Sequence, residues 1–360
     1  MAVADARGWS IDLQNAKPLV LALACSLSVA VGQSVAAQAA TPALLIPHAT
    51  WDCGMPAGIV RPEAGTLVFE IEMPLERAVD IGQTPYGKRR VGIGLEGSIE
   101  GPRLSGTVST GGLDFELTLA NGTIEIEQAL VLRASDGSYL YARNAGTGAD
   151  AADVRIVVDL EAPNDGPHAW LNSRKLVARR ELDAATNTLR LEVYDVSSVV
   201  VGSASATSAR IAKPAGVAPQ PWGYRDKNPN EQPGEVLITE NVTLAPSQTV
   251  GESKRGNRNI IPITGGTLRG RITGDILLGG ADYQLLTPPA TIDAHYLWRT
   301  DDGETIIVRN GGSFGALVPT FETRVDGPYA YLHTGRYLSS NPGRGEGGVA
   351  ITFYESAPSP

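Results

Sequence analysis

Residues 256–310 read GNRNIIPITGGTLRGRITGDILLGGADYQLLTPPATIDAHYLWRTDDGETIIVRN, and this stretch decides the fold because it has an earlier counterpart. Residues 87–144 read GKRRVGIGLEGSIEGPRLSGTVSTGGLDFELTLANGTIEIEQALVLRASDGSYLYARN. The shared positions are Gly87/Gly256, Gly101/Gly270, Gly112/Gly280, Asp114/Asp282, Asp136-Gly137/Asp302-Gly303 and Arg143-Asn144/Arg309-Asn310. Their offset drifts only from 169 at the first glycine pair to 166 at the Asp-Gly pair. This spacing indicates one structural unit that occurs twice, with small changes in hairpin length.

The local residue patterns favour an all-β fold. The chain has 360 residues with 41 glycines and 24 prolines, and no long stretch repeats apolar residues at helical spacing. Short alternating runs rich in Val, Ile, Thr and Tyr predict strands instead. Closing such a sheet into a barrel removes its exposed edges. We therefore predict two tandem antiparallel β-barrels, each with room for side chains or one small ligand.

The flanking composition sets the predicted boundaries. The first barrel covers residues 64–202 and the second 235–356, and a Pro-rich, semi-rigid linker joins them at 203–234. Residues 40–63 are expected to form an extended arm that packs on the first barrel. Asn121-Gly122 predicts a two-residue type I′ hairpin. The two Asp-Gly pairs predict a further hairpin in each copy.

The first 39 residues have the pattern of a secretory signal peptide. Lys17 precedes the apolar run 18–32, PLVLALACSLSVAVG, and Ala37-Gln38-Ala39 offers a cleavage site between small residues. We expect cleavage after Ala39 and a secreted or periplasmic protein, with an uncleaved anchor as the alternative. Cleavage leaves Cys53 as the one cysteine, so no intramolecular disulfide is expected and the cores must hold the fold.

The net charge and the sequence motifs limit the kinds of binding partner that we expect. A net charge of −9 without a basic stripe argues against nucleic acid and, once the signal is removed, against a membrane surface. The four histidines have no metal-ligand spacing, and no HExxH or paired-cysteine pattern occurs. Neither a P-loop nor a dinucleotide fingerprint in a βαβ setting is present. We expect no metal and no cofactor, which leaves a small-molecule ligand and a homo-oligomer as open alternatives.

Several spaced motifs resemble the UPF0311 (DUF3237) family. They are Gly279-Gly280-Ala281-Asp282-Tyr283, Asp302-Gly303 followed by Arg309-Asn310, and Ala169-Trp170-Leu171-Asn172 of the first copy. The resemblance spans both repeats and implies a calycin-like barrel in each, but little chemistry, since the family has no assigned function. The second copy departs from the last motif, with Tyr331 and His333 for Trp and Asn. Glu127 and His295 stand where the family often carries Arg.

The strand predicted at residues 291–299, TIDAHYLWR, offers the strongest candidate chemistry. Alternation places Ile292, Ala294, Tyr296 and Trp298 on one face and Asp293, His295, Leu297 and Arg299 on the other. One interpretation is a core face and a solvent face. The other turns the charged face into the lumen, where Asp293 orients His295 as a general base and Arg309 stabilises an oxyanion.

The other polar positions are candidate ligand-binding residues. They are Asp282, Tyr283, Arg299, Asn310, Tyr331, His333, Asp114, Glu127, Arg143 and Trp170. Asp114 and Asp282 follow a glycine pair, which fits either a carboxylate accepting turn amides or a pocket role. A buried arginine of the Arg-Asn pair requires a carboxylate, and these aspartates are suitable partners. Glu322 and Arg324 predict a surface ion pair.

Three functions remain open from the sequence. The first is an exported protein that binds a small, largely apolar molecule in a barrel, favoured by the barrel class and the scarcity of catalytic signatures. The second is a cofactor-free lyase, isomerase or cyclase in the second barrel. The third is a structural or interaction module in which one copy supports the other. The size and polarity of the two lumens distinguish among them.

Overall fold

The computed structural model of the protein describes residues 59–199 and 227–358. Regular structure within them consists of strands and short 3-10 turns, which confirms the all-β class. Among these residues no helix is long and apolar enough to cross a membrane. The predicted signal peptide, most of the N-terminal arm and most of the linker lie outside the described residues. The described end of the arm, Ile59 and Val60, is buried against Val157, Val177 and Val196.

The first copy forms a closed antiparallel barrel. Its strands are β1 (Thr66–Gln83), β2 (Lys88–Gly94), β3 (Gly97–Glu100), β4 (Gly106–Val108), β5 (Leu113–Thr118), β6 (Ile124–Ala134), β7 (Tyr139–Gly148), β8 (Arg155–Glu161), β9 (Leu176–Asp183) and β10 (Thr188–Asp195). Eight of them make the ring β1-β2-β5-β6-β7-β8-β9-β10, which returns to β1. The short β3 and β4 bridge β1 to β6. Closure leaves the ring without edge strands.

The second copy repeats this order in an eleven-stranded sheet. Its strands are β11 (Glu231–Leu244), β12 (Gln248–Ser253), β13 (Gly256–Gly270), β14 (Gly274–Ile276), β15 (Ala281–Leu285), β16 (Thr291–Thr300), β17 (Thr305–Ser313), β18 (Val318–Glu322), β19 (Tyr337–Ser339), β20 (Gly343–Gly345) and β21 (Gly348–Pro358). Between β18 and β19 the ladder is replaced by a backbone hydrogen bond from Ser339 N–H to Leu317 C=O at 3.1 Å. We call this break between β18 and β19 the seam.

A proline accounts for the seam. Val158 of β8 lies opposite Asn144 of β7 and also pairs with Leu176 of β9. Pro319 lies opposite Asn310 in the same way and is therefore the counterpart of Val158. Proline has no backbone N–H to donate to the next strand, so the ladder that closes the first ring cannot form equally in the second.

Apolar side chains form the core inside each copy, as the alternation predicts. Ile292, Ala294, Tyr296 and Trp298 all belong to the apolar cluster inside the second barrel, which confirms that face of β16. The indole of Trp298 packs against the ring of Phe321 at 5.2 Å between centroids. Aromatic contacts of this kind add to the burial of apolar area that stabilises the barrel.

The Asp-Gly hairpins are confirmed, and the Asn-Gly turn differs from its prediction. Gly137 and Gly303 have φ of 91° and 90° in the β6–β7 and β16–β17 turns, a conformation that favours glycine. Asn121-Gly122 does join β5 to β6, but Leu119 N–H donates to Thr123 C=O and only Gly122 of the pair has positive φ. The loop is therefore longer than a type I′ turn, and that prediction was wrong.

Candidate functional site

The outer faces of the two barrels pack against each other through exchanged ion pairs. Arg309 of the second copy binds both carboxylate oxygens of Glu127 of the first, at 3.0 and 2.5 Å. Arg143 of the first copy lies 3.6 Å from the Asp293 carboxylate of the second. The strand register makes Glu127 the counterpart of Asp293 and Arg143 the counterpart of Arg309. An arginine of each copy therefore pairs with an acidic residue of the other copy.

A second set of contacts is exchanged in the same way. Arg89 donates to Glu322 at 2.8 Å, and its counterpart Arg258 donates to Glu161 at 2.9 Å. Thr84 Oγ1 donates to Glu322, as Ser253 Oγ does to Glu161. This reciprocity is the property of an isologous interface around a two-fold axis. The duplicated chain thus packs its halves as a pseudo-symmetric dimer.

We call this interface between the two barrels the junction. The predicted catalytic residues lie in it. His295 is 2% exposed, and its Nε2 lies 2.6 Å from Asp293 Oδ1. The imidazole is enclosed by the rings of Phe115 and Tyr283, at 6.4 and 5.8 Å between centroids. Both interpretations were wrong for Asp293 and His295, because these side chains face neither the lumen nor solvent but are covered by the other barrel. Arg299, at the end of the same face, is exposed as the first interpretation predicts. The equivalence of Glu127 with His295 also fails, since Glu127 matches Asp293.

Arg309 and Glu322 have partners that differ from the predicted ones. Arg309 binds Glu127, not Asp114 or Asp282. Burial acts to raise the pKa of Glu127, but the charge and hydrogen bonds of Arg309 outweigh it, and this pKa lies below its usual range. Glu322 is buried at the junction and binds Arg89. The surface ion pair predicted for Glu322 was therefore wrong, and Arg324 pairs with other carboxylates.

The remaining candidates are spread over the molecule. Tyr283 stacks on Tyr141 in the junction, with ring centroids 5.0 Å apart. Arg299 is exposed and donates to Gly303 C=O in the β16–β17 turn. The Arg103 guanidinium lies 3.6 Å above the Trp170 ring at the end of the first barrel.

Tyr331 and His333 belong to the 3-10 turn Ala330–His333. Tyr331 is 43% exposed. His333 Nε2 accepts the backbone N–H of Thr323 at 3.1 Å, and burial lowers the pKa of the imidazole. In the first copy the Asn172 side chain accepts from the equivalent residue, Ala162. His333 therefore accepts the same backbone hydrogen bond that Asn172 of the Ala-Trp-Leu-Asn motif accepts in the first copy.

A polar network fills the lumen of the first barrel where Asp114 lies. Gln128 Nε2 donates to Asp114 Oδ1 at 2.7 Å, and Gln128 Oε1 accepts from Asn144 Nδ2 at 3.0 Å. Arg180 of β9 lies 2.5 Å from the second Asp114 oxygen and 3.3 Å from Glu116. The Asp114 carboxylate therefore accepts side-chain donors rather than turn amides.

The lumen of the second barrel contains a cavity of about 140 Å³ where the first has this network. Its polar wall includes Asp282, Gln284 and Asn310. The apolar wall is formed by aliphatic and aromatic side chains that include Val242, Ile263, Ile292, Ala294, Phe314, Leu317, Val349 and Ile351. Of the predicted binding residues, Asp282 and Asn310 are thus brought together at one cavity.

Two carboxyl groups in this lumen are strongly affected by burial. Burial raises the pKa of Asp282 to about 7, against the hydrogen bond from Gln284. It raises the pKa of Glu240 to about 8, although Tyr296 and Trp298 donate hydrogen bonds to that carboxyl at 2.6 and 3.0 Å. Glu240 is fully buried and was not predicted.

The tract Gly311–Gly315, GGSFG, matches the G-x-S-x-G pattern of a nucleophile elbow but not its structure. That elbow holds its serine on a sharp turn from a strand into a helix. Ser313 instead ends β17, and the chain turns back into β18. The match therefore does not indicate a serine nucleophile, and the tract belongs to the loop beside the cavity.

Comparison with known proteins connects both copies to one family. The family model described as "Protein of unknown function (DUF3237)" matches residues 64–199 and 234–316. A UPF0311 protein of Bradyrhizobium diazoefficiens is 46% identical over 80 residues, which are 22% of this chain and 53% of the relative. One from Clostridium acetobutylicum is 29% identical over 102 residues, 28% and 60% of the two chains. The chain thus spans about half the length of the curated relatives that it matches.

Two solved structures are also similar. A conserved protein of unknown function from Rhodopseudomonas palustris is 22% identical, with a TM-score of 0.33 over 38% of this chain and 97% of its own. A β-barrel-like protein from Acinetobacter baumannii is 32% identical, with a TM-score of 0.31 over 36% and 98%. The family match covers more than half of the chain and includes both repeats. The chain therefore belongs to the DUF3237 family of proteins of unknown function.

Proposed function

We propose that the protein binds one small, largely apolar molecule in the lumen of its second barrel. The observation that carries the proposal is the cavity of about 140 Å³ with an apolar wall and a polar end at Asp282 and Asn310. An engineered apolar cavity of about 150 Å³ binds benzene. Ligand sites are typically apolar hollows with a few placed polar groups.

The difference between the copies supports an assignment to the second barrel. Gln128 of the first barrel is replaced by Ala294, which lies between the same two register partners. Arg179 and Arg180 correspond to the irregular segment 340–342 between β19 and β20. Loss of the glutamine and arginine side chains leaves space in the second lumen. The filled first barrel then acts as a support for the second.

The seam provides a route to the cavity. Phe314 and Leu317 of the β17–β18 loop contribute to the wall, and so does Pro342 from the opposite side. Phe314 is 51% exposed, so the wall reaches the surface at this end. Gly315 N–H donates to Asn341 Oδ1 at 2.7 Å across these loops. Breaking that exposed bond costs little net free energy compared with opening a ladder.

An acid–base reaction with His295 has less support. His295 and Asp293 lie in the junction, while their neighbours Ile292 and Ala294 line the cavity. Because side chains alternate between the faces of a strand, the imidazole is on the opposite side of the sheet from the proposed ligand. The geometry therefore favours binding.

Calorimetric titration with benzene tests the proposal. We expect saturable binding of one benzene per chain. Ala294→Leu should weaken it by about tenfold or more, because the added atoms occupy the cavity. Ala350→Leu is the matched control, since Ala350 precedes Ile351 in β21 and lies on its other face. Absence of saturable binding, or equal affinity in wild type and Ala294→Leu, would contradict the proposal.

A further inference from the structure

We infer that the ligand carries an uncharged hydrogen-bond donor, a hydroxyl or amide N–H, which lies between Asp282 and Asn310 where the first barrel holds the carboxamide of Gln128. The inference rests on the proposed function, since it names the polar end of the same ligand. It follows from comparing three consecutive positions across the equivalent strands of the two copies.

The first barrel shows which group fits between these positions. Asp114, Gln128 and Asn144 are opposite one another across β5, β6 and β7. The central carboxamide reaches both neighbours, donating to the aspartate at 2.7 Å and accepting from the asparagine at 3.0 Å. Three strands of this barrel are therefore joined inside the lumen by one amide group.

The second barrel keeps the outer two positions and lacks the central group. Asp282, Ala294 and Asn310 are opposite one another across β15, β16 and β17. The alanine side chain ends at Cβ and cannot reach either neighbour. The Oδ1 atoms of Asp282 and Asn310 are both buried and receive no side-chain donor, while the backbone N–H of Asp293 also acts on the Asp282 carboxyl. Asn144 Oδ1 of the first barrel is likewise buried without a partner, so the copies differ in the missing central carboxamide, which donates to the aspartate in the first barrel. A buried acceptor in this condition has lost its hydrogen bonds to water without replacement, and a bound donor would restore one.

Neighbouring hydrogen bonds determine which atom of the Asn310 carboxamide can bind a ligand. Its Nδ2 donates to Ser339 Oγ at 2.9 Å. The Ser339 hydroxyl donates its own hydrogen to Ser340 C=O at 3.0 Å, so it can only accept from the asparagine. The Asn310 amide is thereby held with its oxygen free, and it can accept a hydrogen bond. Asp282 Oδ2 already accepts from Gln284 at 2.7 Å, which leaves Oδ1.

The charge of the ligand follows from the same wall. Above the pKa of Asp282, which burial raises to about 7, a carboxylate ligand would bring a second anion and further acceptors to Asp282 and Asn310, so it is disfavoured. An ammonium would have to give up its water in a wall that is otherwise apolar, apart from the amide of Gln284. A neutral hydroxyl or amide donates to these oxygens with a smaller loss of hydration.

Phenol and toluene form a matched pair of probes, because a hydroxyl replaces a methyl group on the same ring. We expect calorimetric titration of the full chain to give a dissociation constant for phenol about tenfold below that for toluene. Ala294→Gln supplies its own carboxamide and should abolish phenol binding, whereas Ala350→Gln on the outer face should not. Circular dichroism and the melting temperature verify that each variant is folded.

The outcomes separate the two proposals. Equal affinities for phenol and toluene in wild type would overturn the donor inference and leave the proposed binding function intact. Tighter binding of benzoate than of phenol would overturn the inference as well. If none of the aromatic probes binds, the proposed function itself fails. Should Ala294→Gln not fold, the wild-type ratio of phenol to toluene decides the inference alone.

Discussion

Glu240 is expected to make the stability of the second barrel depend on pH. Its carboxyl is fully buried and accepts hydrogen bonds from Tyr296 and Trp298. Burial raises its pKa from 4.5 to about 8 in the folded protein. The folded state therefore keeps a proton that the unfolded state loses, and stability falls as pH rises from about 4.5 to about 8. At about 1.4 kcal/mol per pKa unit, the upper limit of this loss is about 5 kcal/mol.

Glu240→Gln isolates this effect. The carboxamide can accept from the Trp298 indole and donate to the Tyr296 hydroxyl, so the variant keeps both bonds but has no proton to lose. We expect wild type and variant to have similar unfolding free energies near pH 4.5. By about pH 9 the variant should be more stable by several kcal/mol.

Urea unfolding followed by tryptophan fluorescence measures this difference, because Trp298 contacts Glu240 directly. Glu96→Gln, an exposed position in the first barrel, is the control and should show no pH-dependent difference from wild type. A difference between wild type and Glu240→Gln that stays constant from pH 4.5 to 9 would refute the reasoning about the buried proton.

Other predictions concern the junction, the first lumen and the N-terminus. Arg309→Met should cost about 3–5 kcal/mol in urea unfolding, because it leaves the Glu127 carboxylate buried without its partner. Combined with Glu127→Met it should cost less than the sum of the single changes, and additive costs would contradict the pairing. Gln128→Ala should cost about 1–3 kcal/mol without changing benzene binding. Lost binding in that variant would assign the site to the wrong barrel. Mass spectrometry of the protein from its source cells should find a chain that starts at Ala40, and a chain that retains Met1 would contradict cleavage.

The repeat and the barrel class could be predicted because their signals are local. Gly137 and Gly303 occupy turns of positive φ in both copies, so the same residue recurs at the same place. The alternation in residues 291–299 correctly identified the core face of β16. Strand periodicity reports which side chains share a face, and this information was sufficient there.

The location of the charged face could not be predicted in this way. Alternating polar residues are typical of a solvent-exposed face, and periodicity does not reveal that another barrel covers it. Glu127 and Arg309 are 182 residues apart in the chain and meet only across the contact between the two barrels. The recurrence of Arg143 and Arg309 was a signal of the junction, since each copy must supply an arginine to a pseudo-symmetric interface.

Two features of the second lumen have signals in the sequence. Glu240 lies between Ile238 and Val242 on the apolar face of one strand, which is an unusual position for a carboxylate. Alignment of the two copies at the Arg-Asn pair places Ala294 opposite Gln128, and that exchange predicts space in the second barrel. The volume of that space depends on how distant parts of the chain pack around it, which local sequence patterns do not specify.

A crystal structure of the protein soaked in phenol tests the central claim most directly. The account predicts electron density for one phenol ring in the lumen of the second barrel, with its hydroxyl within hydrogen-bond distance of Asp282 and Asn310. It predicts no ring among the side chains around Gln128 in the first barrel. A second lumen without phenol at a saturating concentration, or a ring bound in the first lumen, would contradict it.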